Sequence, residues 1–155
     1  MAERRQLSFR WPVEDVSVVR AVHRQARRQY RESDRSRNLT MSAFTQIAYL
    51  TARQRTGTWH PAVLVAPHGS VQRGVELLNL SWDSWAADFL EDDWELLTDR
   101  SQEAYDIQRR SSRVPARRPR LHKAALARLG IMNGLTDWRA WLDQVPNDPR
   151  RGSHS

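Results

Sequence analysis

Hydrophobic and polar positions alternate without a break near the start of the chain. Leu7, Phe9 and Trp11 fall on one side of residues 6–11, and Gln6, Ser8 and Arg10 on the other. This is the two-residue period of a strand buried on one face. Pro12 ends the strand, because proline has no N–H for a ladder and suits the first turn of a helix. Glu14 and Asp15 follow where the helix dipole favours carboxylates. Val16, Val19, His23 (or Val22), Ala26 and Tyr30 then recur every three or four residues as one stripe, with Arg20, Arg24, Arg27, Arg28 and Arg31 mostly outside it. Thr40 or Ser42 is predicted to cap a second helix. Its buried side would be Met41, Phe44, Ala48 and Tyr49 or Leu50, and it stops near Thr56 and Gly57.

One strand and two helices do not make a finished fold, since the ladder groups are unpaired and the apolar face is uncovered. The simplest completion is a second copy, giving a two-stranded antiparallel ribbon over four interlocked helices. The expected class is therefore mainly α with a short N-terminal β-strand, a dimer with an α-helical C-terminal extension.

Beyond residue 57 the pattern is less regular. Ala62, Val63, Leu64, Val65 and Ala66 form an apolar run between Pro61 and Pro67, a brief buried strand or a connecting segment. Residues 75–110 read as a long helix broken once or twice, with Leu78, Trp82, Trp85 or Ala86, Phe89, Trp94 and Leu97 on one face. That face reads first as core; the alternatives are a protein-partner surface or an acidic surface that repels DNA. Residues 119–130 form a compact helix with Leu121, Ala125 (or Leu126) and Leu129 inward, and Thr136 would cap a further helix carrying Trp138, Trp141 and Leu142. The predicted segments are thus 1–57, an acidic Trp-rich helical stretch at 58–110, a basic linker and helical hairpin at 111–145, and a flexible tail at 146–155.

Charge sharpens this division. Residues 1–57 hold 12 Arg against 5 acids (+7), residues 58–99 one Arg against 8 acids (−7), and residues 100–155 hold 11 Arg and one Lys against 5 acids (+7). Two basic blocks flanking an acidic one are the footprint of a polyanion binder, and guanidinium matches phosphate and guanine edges better than ammonium does. The chain has no cysteine, which excludes thiolate metal sites and cysteine nucleophiles and makes a reducing, cytoplasmic location the default. No apolar run approaches the roughly 20 residues of a membrane span, and no signal-type segment opens the chain.

Residues 6–12 together with Glu14, Val16, Val19 and Arg20 resemble the ribbon-helix-helix DNA-binding family, the Arc repressor type in particular, over about the first third of the chain. The resemblance implies an obligate homodimer whose ribbon lies in the major groove. Gln6, Ser8 and Arg10 would then contact bases, for which their chemistry is suited: Gln for adenine, Arg for guanine O6 and N7, Ser for either. Phosphates would be met by Arg4, Arg5 and the start of the second helix at Thr40, Met41 and Ser42. Residues 31–38 are extra relative to compact members of the family. A second such unit could lie at the C-terminus, with Pro119 matching Pro12 and residues 111–118 as its strand, although Pro115 would interrupt pairing.

No catalytic or metal-binding constellation is visible. The five histidines lack ligand spacing, phosphate-cradling and nucleophile-elbow motifs are missing, and Asp92 and Asp93, adjacent on a helix, point about 100° apart. The expected function is a non-enzymatic, cofactor-free repressor or regulator that binds double-stranded DNA. The alternatives are an accessory protein of plasmid segregation or conjugation, and a protein-interaction module that never meets DNA.

Overall fold

In the computed structural model, which describes residues 3–32, 39–56, 75–111 and 122–144, the first strand finds its partner within the same chain. β1 (Arg4–Pro12) runs antiparallel to β2 (Val75–Asp83). The alternation of β1 buries Phe9 and Trp11, with rings stacked at 5.8 Å, and half-buries Leu7. From β2, Leu78, Leu80 and Trp82 are buried.

Each strand runs straight into a helix. Pro12 leads into α1 (Val13–Glu32), and Asp83 into α3 (Ser84–Ser111). The Ser84 amide donates to the Glu3 carbonyl at 2.8 Å, fixing that exit beside the start of β1. Val16, Val19, His23, Ala26 and Tyr30 are the buried stripe of α1. Thr40 caps α2 (Met41–Thr56), its hydroxyl accepting the Ala43 amide at 3.1 Å. α4 (Lys123–Leu135), the short α5 (Trp138–Trp141) and a 3-10 turn (Leu142–Gln144) complete the described residues.

The order is therefore β-α-α twice, with α5 and the 3-10 turn following, and the strands and first helices of the two units correspond. Ser8 faces Asn79, 71 residues further on, and the same offset relates Trp11 to Trp82 and the first residues of α1 and α3. The second helices of the two units, α2 and α4, touch backbone to backbone. A Cβ on Gly134 would stand 2.0 Å from the Ala48 carbonyl oxygen. Phe9, Phe44, Trp82, Leu126 and Trp141 belong to one buried cluster. No helix among the described residues is long and apolar enough to cross a membrane.

Several expectations are corrected. The strand expected from a second copy is supplied by β2, so the ribbon ladder does not call for a homodimer. The helix expected to begin at residue 75 begins at Ser84. Leu78 and Trp82 sit at helical spacing, but with Leu80 they are equally one face of a strand, and pairing with β1 decides between the two. The strand that precedes the later helices among the described residues is β2. α4 runs through Gly130, expected as a stop, to Leu135, because Gly130 and Gly134 are buried positions within the helix rather than chain breaks. Thr136 ends α4, its hydroxyl donating to the Asn133 carbonyl at 2.8 Å, and Asp137 precedes α5. The expectations for residues 31–38 beyond Glu32, the 62–66 run, residues 111–118 beyond Ser111 and the 146–155 tail lie outside the described residues.

Candidate nucleic-acid interface

The outer face of the ribbon follows from strand alternation. With Leu7, Phe9 and Trp11 turned inward, Arg4, Gln6, Ser8 and Arg10 are exposed on β1. β2 adds exposed Val75, Leu77 and Asn79 and half-exposed Ser81. The register sets Gln6 opposite Ser81, Ser8 opposite Asn79 and Arg10 opposite Leu77. At the centre the Ser8 hydroxyl donates to Asn79 Oδ1 at 2.8 Å. At about 3.4 Å per residue, Gln6 to Arg10 covers roughly 14 Å, about four base steps at ~3.4 Å each. A pair of strands fits the roughly 12 Å width of a major groove.

The helices hold this face from behind. Ser42 Oγ accepts the Ser81 amide at 2.8 Å. The Gln46 amide is bidentate to Asp83, accepting its backbone N–H at 2.9 Å and donating to Oδ2 at 3.0 Å. Both contacts place the start of α2 at the Gln6/Ser81 end of the ribbon. The Trp11 indole donates to the Ala124 carbonyl at 3.0 Å, which places the start of α4 at the opposite end. Arg20 of α1 pairs with Glu76 at 2.5 Å. Two helix N-termini, with partial positive charge and amides lacking intrahelical partners, thus bracket the ribbon.

The residues expected at phosphates separate. Arg4 is exposed at the ribbon end. Arg5 lies on the other side of the strand and pairs with Asp88 of α3 at 2.8 Å. Thr40 uses its oxygen as the α2 cap, and the Ser42 oxygen is engaged by β2. Met41 is half-buried beside them, with its amide in the first turn of the helix.

Asp92 and Asp93 part as their helical angle requires: Asp92 is exposed and Asp93 buried. Asp93 accepts the Tyr49 hydroxyl at 2.7 Å and Arg53 Nε at 2.9 Å, and the Arg53 guanidinium lies 4.1 Å from the centre of the Phe89 ring. Burial, reinforced by the adjacent carboxylate, pushes the Tyr49 phenol far above its usual range. The same cause, desolvation, lowers His23, whose Nε2 stands 2.8 Å from the Leu39 carbonyl. Both are structural groups that tie α2 to α3 and α1 to the segment before α2. Among the described residues no three His, Asp or Glu side chains gather as a metal site.

Comparison with family models, curated proteins and solved structures finds no match to this chain.

Sequence reasoning missed the β2 half of the face, Leu77, Asn79 and Ser81. The signal was present as an internal repeat: Leu78, Leu80 and Trp82 repeat Leu7, Phe9 and Trp11, with Asn79 and Ser81 between them as Ser8 and Arg10 stand between theirs.

Proposed function

We propose that the chain is a sequence-specific double-stranded DNA-binding protein of ribbon-helix-helix type, a transcriptional repressor or regulator, with both units of the usual dimer carried on one polypeptide. The observation that carries this reading is the ribbon: its inner face is locked into the core, and its outer face presents a row of hydrogen-bonding side chains to solvent. Arg10 suits guanine O6 and N7, Gln6 suits adenine N6 and N7, and Ser8 adapts to either. In this reading Arg4 and the amides at the starts of α2 and α4 meet phosphates on either side. Specificity then comes from the ribbon, and affinity from neutralised phosphates, with the steep salt dependence this entails.

Selection of bound fragments from a random duplex pool tests the reading. Enrichment of one sequence, lost on Arg10→Ala, supports it. Retention without any enriched sequence contradicts base reading. The absence of retention at physiological salt favours a protein-interaction module.

A second reading keeps the DNA contact but assigns an accessory role in plasmid segregation or conjugation. α3 has 28 residues against 20 in α1. It exposes Trp85 and Leu96, at 51% and 49%, amid Asp88, Asp92 and Glu95, a surface the ribbon does not need. A repressor acts alone on its operator, whereas an accessory factor has an effect only when a second protein is added.

A further inference from the structure

The two strands that pair in this ribbon are not copies of each other. In a ribbon built from two identical chains, the pairs flanking the centre are related by symmetry and carry the same side chains. Here the centre is Ser8 opposite Asn79, and the flanks differ. One flank is Gln6 with Ser81, an amide beside a hydroxyl. The other is Arg10 with Leu77, a guanidinium beside an isobutyl group. The outward cations, Arg4 and Arg10, both belong to β1, while outward β2 presents Val75, Leu77, Asn79 and Ser81. Leu77 and Val75, 49% and 48% exposed, form a short apolar strip on an otherwise polar face.

We propose that one copy of this chain reads an asymmetric DNA site, in which Leu77, Asn79 and Ser81 of β2 recognise bases different from those read by Gln6, Ser8 and Arg10 of β1. The inference rests on the DNA-reading proposal above. Each base pair shows a distinct edge in the major groove, and an apolar side chain there is matched by the thymine methyl group. The Leu77 flank therefore takes a thymine next to the guanine met by Arg10. The Gln6 and Ser81 flank takes adenine. Asn79 accepts the Ser8 hydroxyl with its carbonyl oxygen and keeps an amide NH2 to donate to a base acceptor at the centre. A symmetric inverted repeat would set Ser81 against the guanine that suits Arg10, and Leu77 against the adenine that suits Gln6, leaving polar base edges unpaired in one half.

The test uses the full chain and a random duplex pool. The parent is expected to enrich a site without internal two-fold symmetry and to sediment on it as one chain per duplex. The triple variant Leu77→Gln, Asn79→Ser, Ser81→Arg, which writes the base-reading residues Gln6, Ser8 and Arg10 of β1 onto β2, is expected to enrich an inverted repeat. Replacing the critical thymidine by deoxyuridine removes one methyl group and should weaken the parent about fourfold, while leaving Leu77→Ala unaffected. A parental site that is an inverted repeat, two chains per site, or insensitivity to every methyl removal would overturn the asymmetric reading while leaving DNA recognition intact. Failure of the parent to enrich any sequence would overturn DNA recognition itself, and this inference with it.

Discussion

Trp11 and Trp82 occupy equivalent places in the two strands, and each donates its indole N–H to the second helix of the opposite unit: Trp11 to the Ala124 carbonyl at 3.0 Å, Trp82 to the Thr45 hydroxyl at 3.2 Å. Both rings are fully enclosed. The units are therefore interlocked and should melt together. Trp82→Ala is expected to cost about 3–5 kcal/mol, read as a lower urea midpoint in one cooperative transition. Two separable transitions in the parent would contradict interlocking.

The contact between α2 and α4 leaves no room for a side chain at Gly134. Gly134→Ala forces backbone against backbone, and overpacking of this kind costs about 1–3 kcal/mol although alanine is the better helix former. Thermal unfolding of the variant measures the loss; an unchanged or raised Tm would show that the helices do not pack this closely.

Asp93 is buried between Tyr49 and Arg53. Arg53 keeps partial access to water, so Asp93→Ala should cost about 2–3 kcal/mol, below the ~3–5 of fully buried pairs. Tyr49→Phe, which removes one hydrogen bond to the buried carboxylate, should cost about 1.5–3 kcal/mol. The raised phenol adds a pH signature. The folded state holds the Tyr49 proton where the unfolded chain, titrating near 10.0, releases it. Its contribution is thus complete below pH 10 and declines as pH rises above it. Ultraviolet titration of the parent against Tyr49→Phe should differ by one phenol that ionises only on unfolding.

His23 works in the opposite direction on the pH axis. Burial lowers its pKa in the folded state from 6.5, so the unfolded chain takes up the proton first on acidification. Stability should fall as pH drops through 6.5 toward the folded pKa. Urea unfolding between pH 7.5 and pH 5 should show a shallower loss for His23→Gln than for the parent. Equal slopes would place the acid sensitivity elsewhere.

The readable parts of the molecule were those that local pattern determines. β1, its ending at Pro12 and the stripe of α1 follow from periods of two and about 3.6 residues, and Gln6, Ser8 and Arg10 face outward for the same reason. β2 was hidden because its Leu78–Trp82 spacing also fits a helix and because Asp83 stands where Pro12 marks the first junction. Its identity depends on pairing with residues 63 to 79 positions away, which no local period encodes. Gly130 stood at the end of the helix expected over 119–130, whereas α4 continues past it and the close approach of α2 makes Gly134 a packing residue. Ser42 and Arg5 looked free for phosphate and prove to be engaged by β2 and α3.

The most direct test of the ribbon as a reading surface is the ratio of affinities for the selected duplex and a scrambled one, measured by fluorescence anisotropy at fixed salt for the parent and Arg10→Ala. A lost bidentate guanine contact is worth about 1–3 kcal/mol, so the ratio should fall roughly 5- to 150-fold, with scrambled-duplex binding nearly unchanged. A variant that discriminates between the duplexes as well as the parent would contradict the account.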